Sequence, residues 1–316
     1  MTAPPIETSV VLCTRNRATD LDAHLHTVDA AVRGAARPAE LIVVDNGSTD
    51  GTAELIRRGF PDIRLIREDT PGLATARNTG VRAARANAVL FTDDDVDVPS
   101  DWVDRMSAPL RAGSADVVVG GIRVADDLRR PWITPWMLQN LADYPRQQTV
   151  DPDVVGANFG ARRSLLRVIP FDERLGVAPY QRAEDAFFGV QARELGARII
   201  GVAGTPIAHH FDPARLESAA LYKMLRAAGR CSAWVWHHWA HGNAPHLQLK
   251  SIVARARRLP GVPWLRRHPT DHDLRLVSQI AFFDELRRIA DVPPHYPSPA
   301  ARKRDGWRDY QAVSGD

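Results

Sequence analysis

Three consecutive carboxylates follow a short apolar strand pattern at Val89–Thr92, in the sequence FTDDDVDVP. Asp93, Asp94 and Asp95 are costly to ionise together unless a cation neutralises them. Hard divalent ions such as Mg²⁺ and Mn²⁺ take oxygen ligands and bridge to phosphate oxygens, so this spacing suits a clamp of metal and diphosphate. An acidic loop with an aspartate helix cap is the alternative interpretation of such a run.

Two other segments carry polar side chains that could contact a nucleotide. In ELIVVDNGSTDGT a strand pattern runs into Asp45 and Asn46, and a strand-end carboxylate before a glycine turn can accept hydrogen bonds from a base or ribose. In GLATARNTG a helix of small residues can approach a ligand closely, and Arg77, followed by Asn78, can meet phosphate or base edges. Ordinary turn chemistry and a helix packed tightly on a sheet are the alternatives.

Acidic and imidazole side chains form two further candidates nearer the middle of the chain. Glu184 and Asp185 begin a helix pattern, where the helix dipole alone favours acidic residues. His209 and His210 follow an apolar strand pattern and could supply an imidazole ligand, although a histidine pair also occurs in surface turns.

The elements that must position these residues alternate between strand and helix over the first hundred residues. Apolar runs predict strands, and apolar spacings of three and four, as in Leu21, Leu25, Val28 and Val32, predict helices. Four strand-to-helix passages predict a doubly wound α/β fold, in which ligands bind at the carboxyl ends of the strands. The predicted strands and helices are Ser9–Cys13, Leu21–Val32, Leu41–Val44, Thr52–Arg58, Ile63–Ile66, Leu73–Ala86 and Val89–Thr92.

The alternation of strand and helix patterns is less regular beyond Pro99. A Trp/Pro-rich stretch at 130–145 is expected to be irregular, and the chain from Asp212 onward is expected to be helical and basic. The predicted elements between these points are helices at 101–111 and 183–194 and strands at 117–119, 157–161 and 198–202.

Composition excludes several classes of protein. With 44% hydrophobic and 25% charged residues among 316, the chain is neither disordered nor a collagen-like fibre. Its apolar runs fall short of the roughly 18 residues that a spanning helix needs, and the start MTAPPIE lacks a signal-peptide pattern. We therefore expect a cytoplasmic protein.

The net charge of +3 is unevenly distributed. Residues 212–316 carry 17 Lys/Arg and 10 Asp/Glu, whereas residues 1–211 carry 24 and 28. A basic tail can meet a phosphate-bearing partner or an anionic membrane, and a solvated arginine face is the alternative. We expect no nucleic-acid partner. Peripheral membrane contact would involve Arg255, Arg257, Arg258, Leu259, Val262, Trp264, Leu265, Arg266 and Arg267, unless the apolar members pack on the body of the protein.

Taken in this order, the motifs resemble the family 2 glycosyltransferases, inverting enzymes that use nucleotide-diphosphate sugars. The matching segments lie over about residues 8–211 and are SVVLCTRNR, ELIVVDNGSTDGT, GLATARNTG, FTDDDVDVP, GANFGARRSLL and ERLGVAPYQRAEDAFFGVQARELGAR. The resemblance implies the GT-A fold: a doubly wound, mostly parallel sheet flanked by helices. It implies a nucleotide-sugar-binding half at 1–99, an acceptor-binding and catalytic half at 100–211, and a helical basic C-terminal extension at 212–316.

The resemblance also implies roles for matching residues. Asp185, beside Glu184, corresponds to the general base, and Asp95 corresponds to the ligand of a divalent cation, Mg²⁺ or Mn²⁺. Asp93 and His209 complete the expected metal set, with His210 as the alternative to His209. Position 46 is often acidic in the family and is Asn here, which leaves the donor base open. The expected nucleotide-sugar-binding residues are Thr14, Arg15, Asn16, Asp45, Asn46, Arg77, Asn78, Asp93 and Asp94.

Such an enzyme would move a sugar from a UDP-, dTDP- or GDP-sugar to a hydroxyl of a glycan, a lipid-linked sugar or a small metabolite. Asp185 would accept the hydroxyl proton while the oxygen attacks the anomeric carbon opposite the diphosphate. A metal-dependent sugar nucleotidyltransferase is an alternative, but its glycine-rich basic loop is absent near the first strand. A catalytically inactive nucleotide- or carbohydrate-binding protein is a third possibility, against which the set Asp93, Asp95 and Asp185 argues.

Overall fold

A computed structural model describes residues 4–19, 21–145, 151–242 and 268–305. The chain divides into two units, one of residues 1–177 and 184–211 and the other of residues 178–183 and 212–316. The basic segment at 255–267, for which membrane contact was predicted, lies outside the described residues.

The first unit is built on one mixed sheet. Its parallel pairs are β1 with β2 and β4, β2 with β3, and β6 with β8, whereas β7 runs antiparallel to β4 and β6 and β5 runs antiparallel to β8. The strand order is β3-β2-β1-β4-β7-β6-β8-β5, and the predicted doubly wound, mostly parallel sheet is confirmed. The strands are β1 Thr8–Thr14, β2 Ala39–Asp45, β3 Arg64–Arg67, β4 Ala88–Thr92, β5 Val96–Asp97, β6 Val117–Val124, β7 Asn158–Arg162 and β8 Ile199–His209.

Helices flank this sheet. The apolar stripe predicted for the first helix is buried, as its spacing requires. Gly80 lies where a Cβ atom would overlap the side chain of Val11, so glycine allows the third helix to pack closely on β1. The helices are α1 Leu21–Arg33, α2 Thr52–Gly59, α3 Leu73–Ala83, α4 Trp102–Arg111, α5 Pro135–Asn140, α6 Arg163–Val168 and α7 Glu184–Glu194.

Aromatic side chains fill the core beside β4 and β7. Phe91 and Phe159 face each other in the strand register and stack with centroids 4.6 Å apart. Phe171 meets Phe91 edge-on at 5.4 Å. Each fully buried side chain of this size contributes about 1.5–3 kcal/mol, and this cluster fixes the strand from which the acidic triplet emerges.

Several elements differ from the sequence prediction: β5 and α6 were not predicted, α3 ends at Ala83 and not at Ala86, and β6 extends beyond residue 119 to Val124. The stretch at 130–145 contains α5, which begins at a Thr134 cap with Pro135 in its first turn. The strand predicted at 198–202 continues to His209, because β6 also runs on and pairs with it after a register shift between Gly120 and Ile122. The extension carries the two histidines alongside β5.

The described part of the second unit is mainly helical from residue 212 onward, as predicted. α8 Ser218–His238 packs on α9 Asp271–Ile289, and α10 Pro299–Asp305 follows. A Cβ atom at Gly229 would overlap the carbonyl of Ser278, so glycine sets the close approach of these helices. Among the described residues, we find no helix that is both long and apolar enough to cross a bilayer.

Candidate active site

The carboxyl ends of β1, β2 and β4 lie side by side. Thr14 pairs with Asp45 across β1 and β2, and Thr92 at the end of β4 pairs with Leu12 of β1. Thr14 Oγ1 donates a 2.7 Å hydrogen bond to Oδ2 of Asp94. The topology therefore brings the acidic triplet beside the loop that follows β1.

The three carboxylates of the triplet share two arginines. Nη2 of Arg77 lies 3.4 Å from Oδ1 of Asp93. Arg17 approaches Oδ1 of Asp94 at 3.4 Å and Oδ2 of Asp95 at 3.3 Å. Burial raises the pKa of Asp94 to about 6 and also raises the pKa of Asp93, although the neighbouring arginines oppose both shifts. Negative charge is thus costly here, and a bound cation would relieve it.

His209 lies beside Asp95, the predicted metal ligand. Its Nε2 lies 3.3 Å from Oδ1 of Asp95, both side chains are buried, and its Nδ1 has no hydrogen-bond partner. The ligand atoms of Asp93, Asp95 and His209 do not all come within 4.8 Å of one another. A carboxylate and an imidazole fit Mg²⁺ or Mn²⁺ when diphosphate oxygens supply the remaining ligands. These residues therefore fit such a cation as a partial site.

The two neighbouring histidines have different partners. His209 faces Asp95, whereas Nε2 of His210 lies 3.0 Å from Oδ2 of Asp97 and its ring stacks on His24. On extended backbone, successive side chains point in opposite directions. The geometry therefore places His209, and not His210, beside the predicted metal ligand.

Asp45 and Asn46 shape the loop that follows β2. Asp45 is buried, accepts a 2.9 Å hydrogen bond from the amide of Ser48 and lies 3.1 Å from Nη1 of Arg67. The Asn46 side chain donates to the carbonyls of Glu68 and Thr70 and accepts from the amide of Gly72. The side-chain amide of Asn46 is therefore hydrogen-bonded to three backbone groups.

The loop after β1 is tied to the loop after β2. Asn16 adopts a φ of 53°, donates its backbone amide to Ser48 Oγ at 2.9 Å, and accepts a bond from the amide of Thr49 at its Oδ1. Arg15 is exposed, and the amide of Arg17 donates to Thr52 Oγ1 at 2.9 Å. These bonds hold Thr14, Arg15 and Asn16 beside Asp45.

Arg77 is buried at the centre of the site. It forms an ion pair with Glu184 through Nη1, reaches Asp93 through Nη2, and lies over the ring of Phe171. Burial disfavours its charge, but Glu184, Asp93 and Asp185 outweigh burial and raise its pKa. Burial also raises the pKa of Glu184 to about 7, with Asp185 adding to the shift and Arg77 opposing it.

Asn78, on the same helix, is buried. Its side chain donates hydrogen bonds to the carbonyl of Phe171 and to Oε1 of Glu173, and it accepts one from the amide of Phe171. The structure thus gives the side chains of Asn46 and Asn78 bonds within the protein. Their predicted contact with a nucleotide stays a prediction.

Asp185 is held at the start of α7, which follows Ala183 in a left-handed conformation with a φ of 77°. The Gly156 amide donates a 2.5 Å hydrogen bond to Oδ2, and the Ala186 amide donates a 2.7 Å bond to Oδ1. The side chain is half-buried, and Glu184 beside it is buried. A carboxylate fixed in this way can accept a proton from a bound hydroxyl.

Sequence reasoning did not single out Arg17, Arg67 or Gly156. Arg17 lies within the segment SVVLCTRNR and Gly156 begins GANFGARRSLL, so motif membership was the available signal. Arg67 carried no such signal, because its role depends on the pairing of β2 with β3.

The fold is that of the GT-A glycosyltransferases. The family model of glycosyl transferase family 2 matches residues 9–169, which is half of the chain. The chain therefore belongs to that family. The chain is 29% identical over 116 residues to the uncharacterized glycosyltransferase EpsJ of Bacillus subtilis, covering 36% of this chain and 34% of that protein.

A second relative is the undecaprenyl-phosphate 4-deoxy-4-formamido-L-arabinose transferase of Pseudomonas paraeruginosa. It is 33% identical over 141 residues, which cover 42% of this chain and 40% of that protein. The chain thus matches well under half the length of these two relatives. The crystal structure of S. aureus TarS 1-349 in complex with UDP-GlcNAc shares the fold, with a TM-score of 0.51, 17% identity, and coverage of 92% of this chain and 82% of that one.

Proposed function

We propose that this glycosyltransferase moves a sugar from a nucleoside-diphosphate donor to an acceptor hydroxyl in a single inverting displacement. The observation that carries the proposal is the side-chain connection from the strand-end acids to α7. Arg77 joins Asp93 on one side to Glu184 on the other, and Glu184 precedes Asp185. The proposed donor and acceptor sides thus share one buried arginine.

The donor would bind over the carboxyl ends of β1, β2 and β4. Asp45 supports the base or ribose position, and the loop of Thr14, Arg15 and Asn16 borders it. Arg17 lies beside Asp94 and Asp95, where its guanidinium can offset negative charge of the diphosphate. Hydrogen bonds from the amides of Asn16 and Arg17 to Ser48 and Thr52 join the loop after β1 to the segment after β2 and hold the loop in place.

A divalent cation, Mg²⁺ or Mn²⁺, would be held by Asp95 and His209, with Asp93 close to the sugar or ribose. When bound, such a cation neutralises the charge that develops on the leaving diphosphate. The raised pKa values of Asp93 and Asp94 support a place for positive charge here. Nδ1 of His209 makes no hydrogen bond, so no bond at that nitrogen competes with the proposed cation for the ring.

Asp185 would accept the proton of the acceptor hydroxyl as that oxygen attacks the anomeric carbon. The amides of Gly156 and Ala186 orient its two oxygens, and each oxygen keeps a lone pair for the proton. One displacement on the side opposite the diphosphate inverts the configuration of the anomeric carbon, and such a step needs no second carboxylate as nucleophile. Glu184, held by Arg77, would position its neighbour.

The acceptor is a hydroxyl compound: a glycan, a lipid-linked sugar or a small metabolite. The names of two relatives include a lipid: one is an undecaprenyl-phosphate sugar transferase and the other is a cholesterol galactosyltransferase. A lipid acceptor would suit the peripheral membrane contact proposed for the basic segment at 255–267. Sedimentation with anionic liposomes tests that contact, and absence of binding at low salt would contradict it.

The function is tested by a panel of UDP-, dTDP- and GDP-sugars, with release of nucleoside diphosphate as the readout. We expect release from one donor class, dependent on Mg²⁺ or Mn²⁺ and lost in Asp95→Ala. Turnover of Asp95→Ala at the wild-type rate with metal chelated would contradict the metal assignment. Synthesis of a nucleotide sugar from a nucleoside triphosphate and a sugar phosphate would instead support the nucleotidyltransferase.

A further inference from the structure

A second group of side chains that could bind a metal ion lies close to Asp95 and His209 but does not include them. Nδ1 of His24, on α1, lies 2.9 Å from Oδ1 of Asp97, and Nε2 of His210 lies 3.0 Å from Oδ2 of the same carboxylate. The donor atoms of the three residues all lie within 4.8 Å of one another. They come from a helix, a strand and the end of another strand, so the fold itself assembles them.

The charge of this trio differs from that of the neighbouring site. Asp93, Asp94, Asp95 and Asp45 each have an arginine partner. Within the described ranges, Asp97 has neither an arginine nor a lysine partner, and its two ion-pair partners are both imidazoles. Imidazole nitrogens and carboxylate oxygens are common ligands of divalent ions. The trio therefore offers a cation two imidazole nitrogens and a carboxylate that has no arginine or lysine beside it in the described part of the chain.

One donor atom of the trio lacks a hydrogen bond. Nε2 of His210 is out of contact with solvent and makes no hydrogen bond, despite its 3.0 Å distance from Asp97. A buried polar atom without a partner costs free energy that a ligand would recover. The rings of His24 and His210 stack with centroids 4.8 Å apart, so both nitrogens are presented toward the same carboxylate.

We propose that His24, Asp97 and His210 bind a borderline divalent transition-metal ion of the Zn²⁺ type. Two imidazoles and one carboxylate suit Zn²⁺, Co²⁺ or Ni²⁺ better than Mg²⁺, which prefers oxygen ligands. Metal–ligand bonds of about 2.0–2.1 Å place tetrahedral ligands about 3.3 Å apart. The two imidazole nitrogens lie 2.9 Å and 3.0 Å from the two oxygens of Asp97, and all donor atoms lie within 4.8 Å, which is close to that spacing. Water would occupy the remaining position.

The position of the trio determines how an ion would reach it and which elements the ion would join. The side chains of His24, Asp97 and His210 are 17%, 38% and 31% exposed, so an ion can enter from solvent. A bound ion would join α1 to β5 and to the end of β8. The amide of His210 also donates a 2.7 Å hydrogen bond to the carbonyl of Asp95. The ion would therefore stabilise the strand end next to the acidic triplet without depending on the proposed transfer reaction.

The test is metal binding by the full chain without a histidine tag, in excess Mg²⁺. Zn²⁺ calorimetry and the visible absorption of Co²⁺ should both report one ion per chain. Even changes outside the ligand shell weaken metal binding by 10–100-fold, so His24→Ala and Asp97→Asn should each weaken it by at least about 100-fold. Zn²⁺ should also raise the Tm of the wild type but not that of these variants.

Two variants serve as controls. His26→Ala removes an exposed histidine on the same helix, and Asp95→Asn removes the proposed donor-side ligand. Both should retain the wild-type Zn²⁺ affinity. The proposal is overturned if the folded wild type binds no stoichiometric ion, if His24→Ala and Asp97→Asn bind as the wild type does, or if Asp95→Asn alone abolishes binding. Two independent ligand variants, each checked by its metal-free Tm, separate ligand loss from misfolding.

Discussion

The backbone amide of Gly156 donates a 2.5 Å hydrogen bond to Oδ2 of Asp185, the proposed base. A Cβ atom at position 156 would lie 2.9 Å from that same oxygen and would overlap the guanidinium of Arg77. A glycine at this position therefore allows the amide, the carboxylate and the arginine to meet. The orientation of Asp185 depends on a residue that takes no part in the chemistry.

Gly156→Ala should lower the turnover number by about 100-fold, because displacement of a reacting group by about 1 Å has an effect of that size. The added methyl group pushes Asp185 or Arg77 aside, and the Tm reports any accompanying loss of stability from the buried Arg77–Glu184 pair. Turnover and Tm are measured together. Gly59→Ala is the matched control, since a Cβ atom there meets nothing within 4 Å. Equal turnover in both variants would show that Gly156 does not position the base.

Asp185→Asn should remove turnover and leave donor affinity within about twofold, because an amide keeps the shape but cannot accept a proton at neutral pH. Calorimetry with the donor nucleotide measures the affinity, and nucleoside diphosphate release measures turnover. Asp22→Asn, an exposed acid in the first turn of α1, is the control for an acid at a helix start. A large loss of nucleotide affinity in Asp185→Asn would instead assign Asp185 to the donor site.

Sequence patterns predicted the elements whose signals are local. The four apolar residues of the α1 stripe are buried, and β1, β2 and β4 lie where apolar runs placed them. The final part of β8 was not predicted, because Gly204 and Pro206 interrupt its apolar pattern and its pairing depends on a register shift in β6. Helix α5 was missed although Thr134 and Pro135 are a typical helix start.

The sequence predicted which residues at the strand ends form the site. It could not predict the contacts that their side chains make within the protein. Arg77 was expected to meet phosphate or base edges, which stays a prediction, and the structure pairs it with Glu184, 107 residues away. Asn46 was interpreted as a nucleotide contact, and its amide bonds three backbone groups of the following segment. Such partners depend on tertiary packing, which periodicity and local turn chemistry do not encode.

Arg77→Met should destabilise the protein by about 3–5 kcal/mol, since it leaves Glu184 buried without its cation. The double variant Arg77→Met/Glu184→Leu should recover much of that loss, because an apolar pair needs no charge compensation. Urea unfolding of the two single variants and the double variant measures the coupling. Strictly additive effects would contradict the proposed buried pair, since residues in contact couple by about 0.5–3 kcal/mol.

A pH-dependent contribution to stability is expected from Glu40, a buried carboxylate at the start of β2. It accepts hydrogen bonds from Ser9 Oγ at 2.7 Å, the Arg85 amide at 2.8 Å and Arg64 Nη1 at 2.6 Å. Burial disfavours its charge, but these bonds and the charge of Arg64 outweigh burial and lower the pKa of Glu40. The folded protein therefore holds this proton less tightly than the unfolded chain.

Stability from a lowered carboxyl pKa is present above the unfolded value, about 4.3–4.5, and is lost as the pH falls through the folded value. Glu40→Gln should therefore cost about 1.5–3 kcal/mol at pH 7, the range for hydrogen bonds to charged groups, and progressively less below about pH 4. Urea unfolding at both pH values measures the difference. Glu54→Gln, at an exposed ion pair on α2, should show little effect at either pH. A cost for Glu40→Gln that stayed constant with pH would assign its role to neutral hydrogen bonding alone.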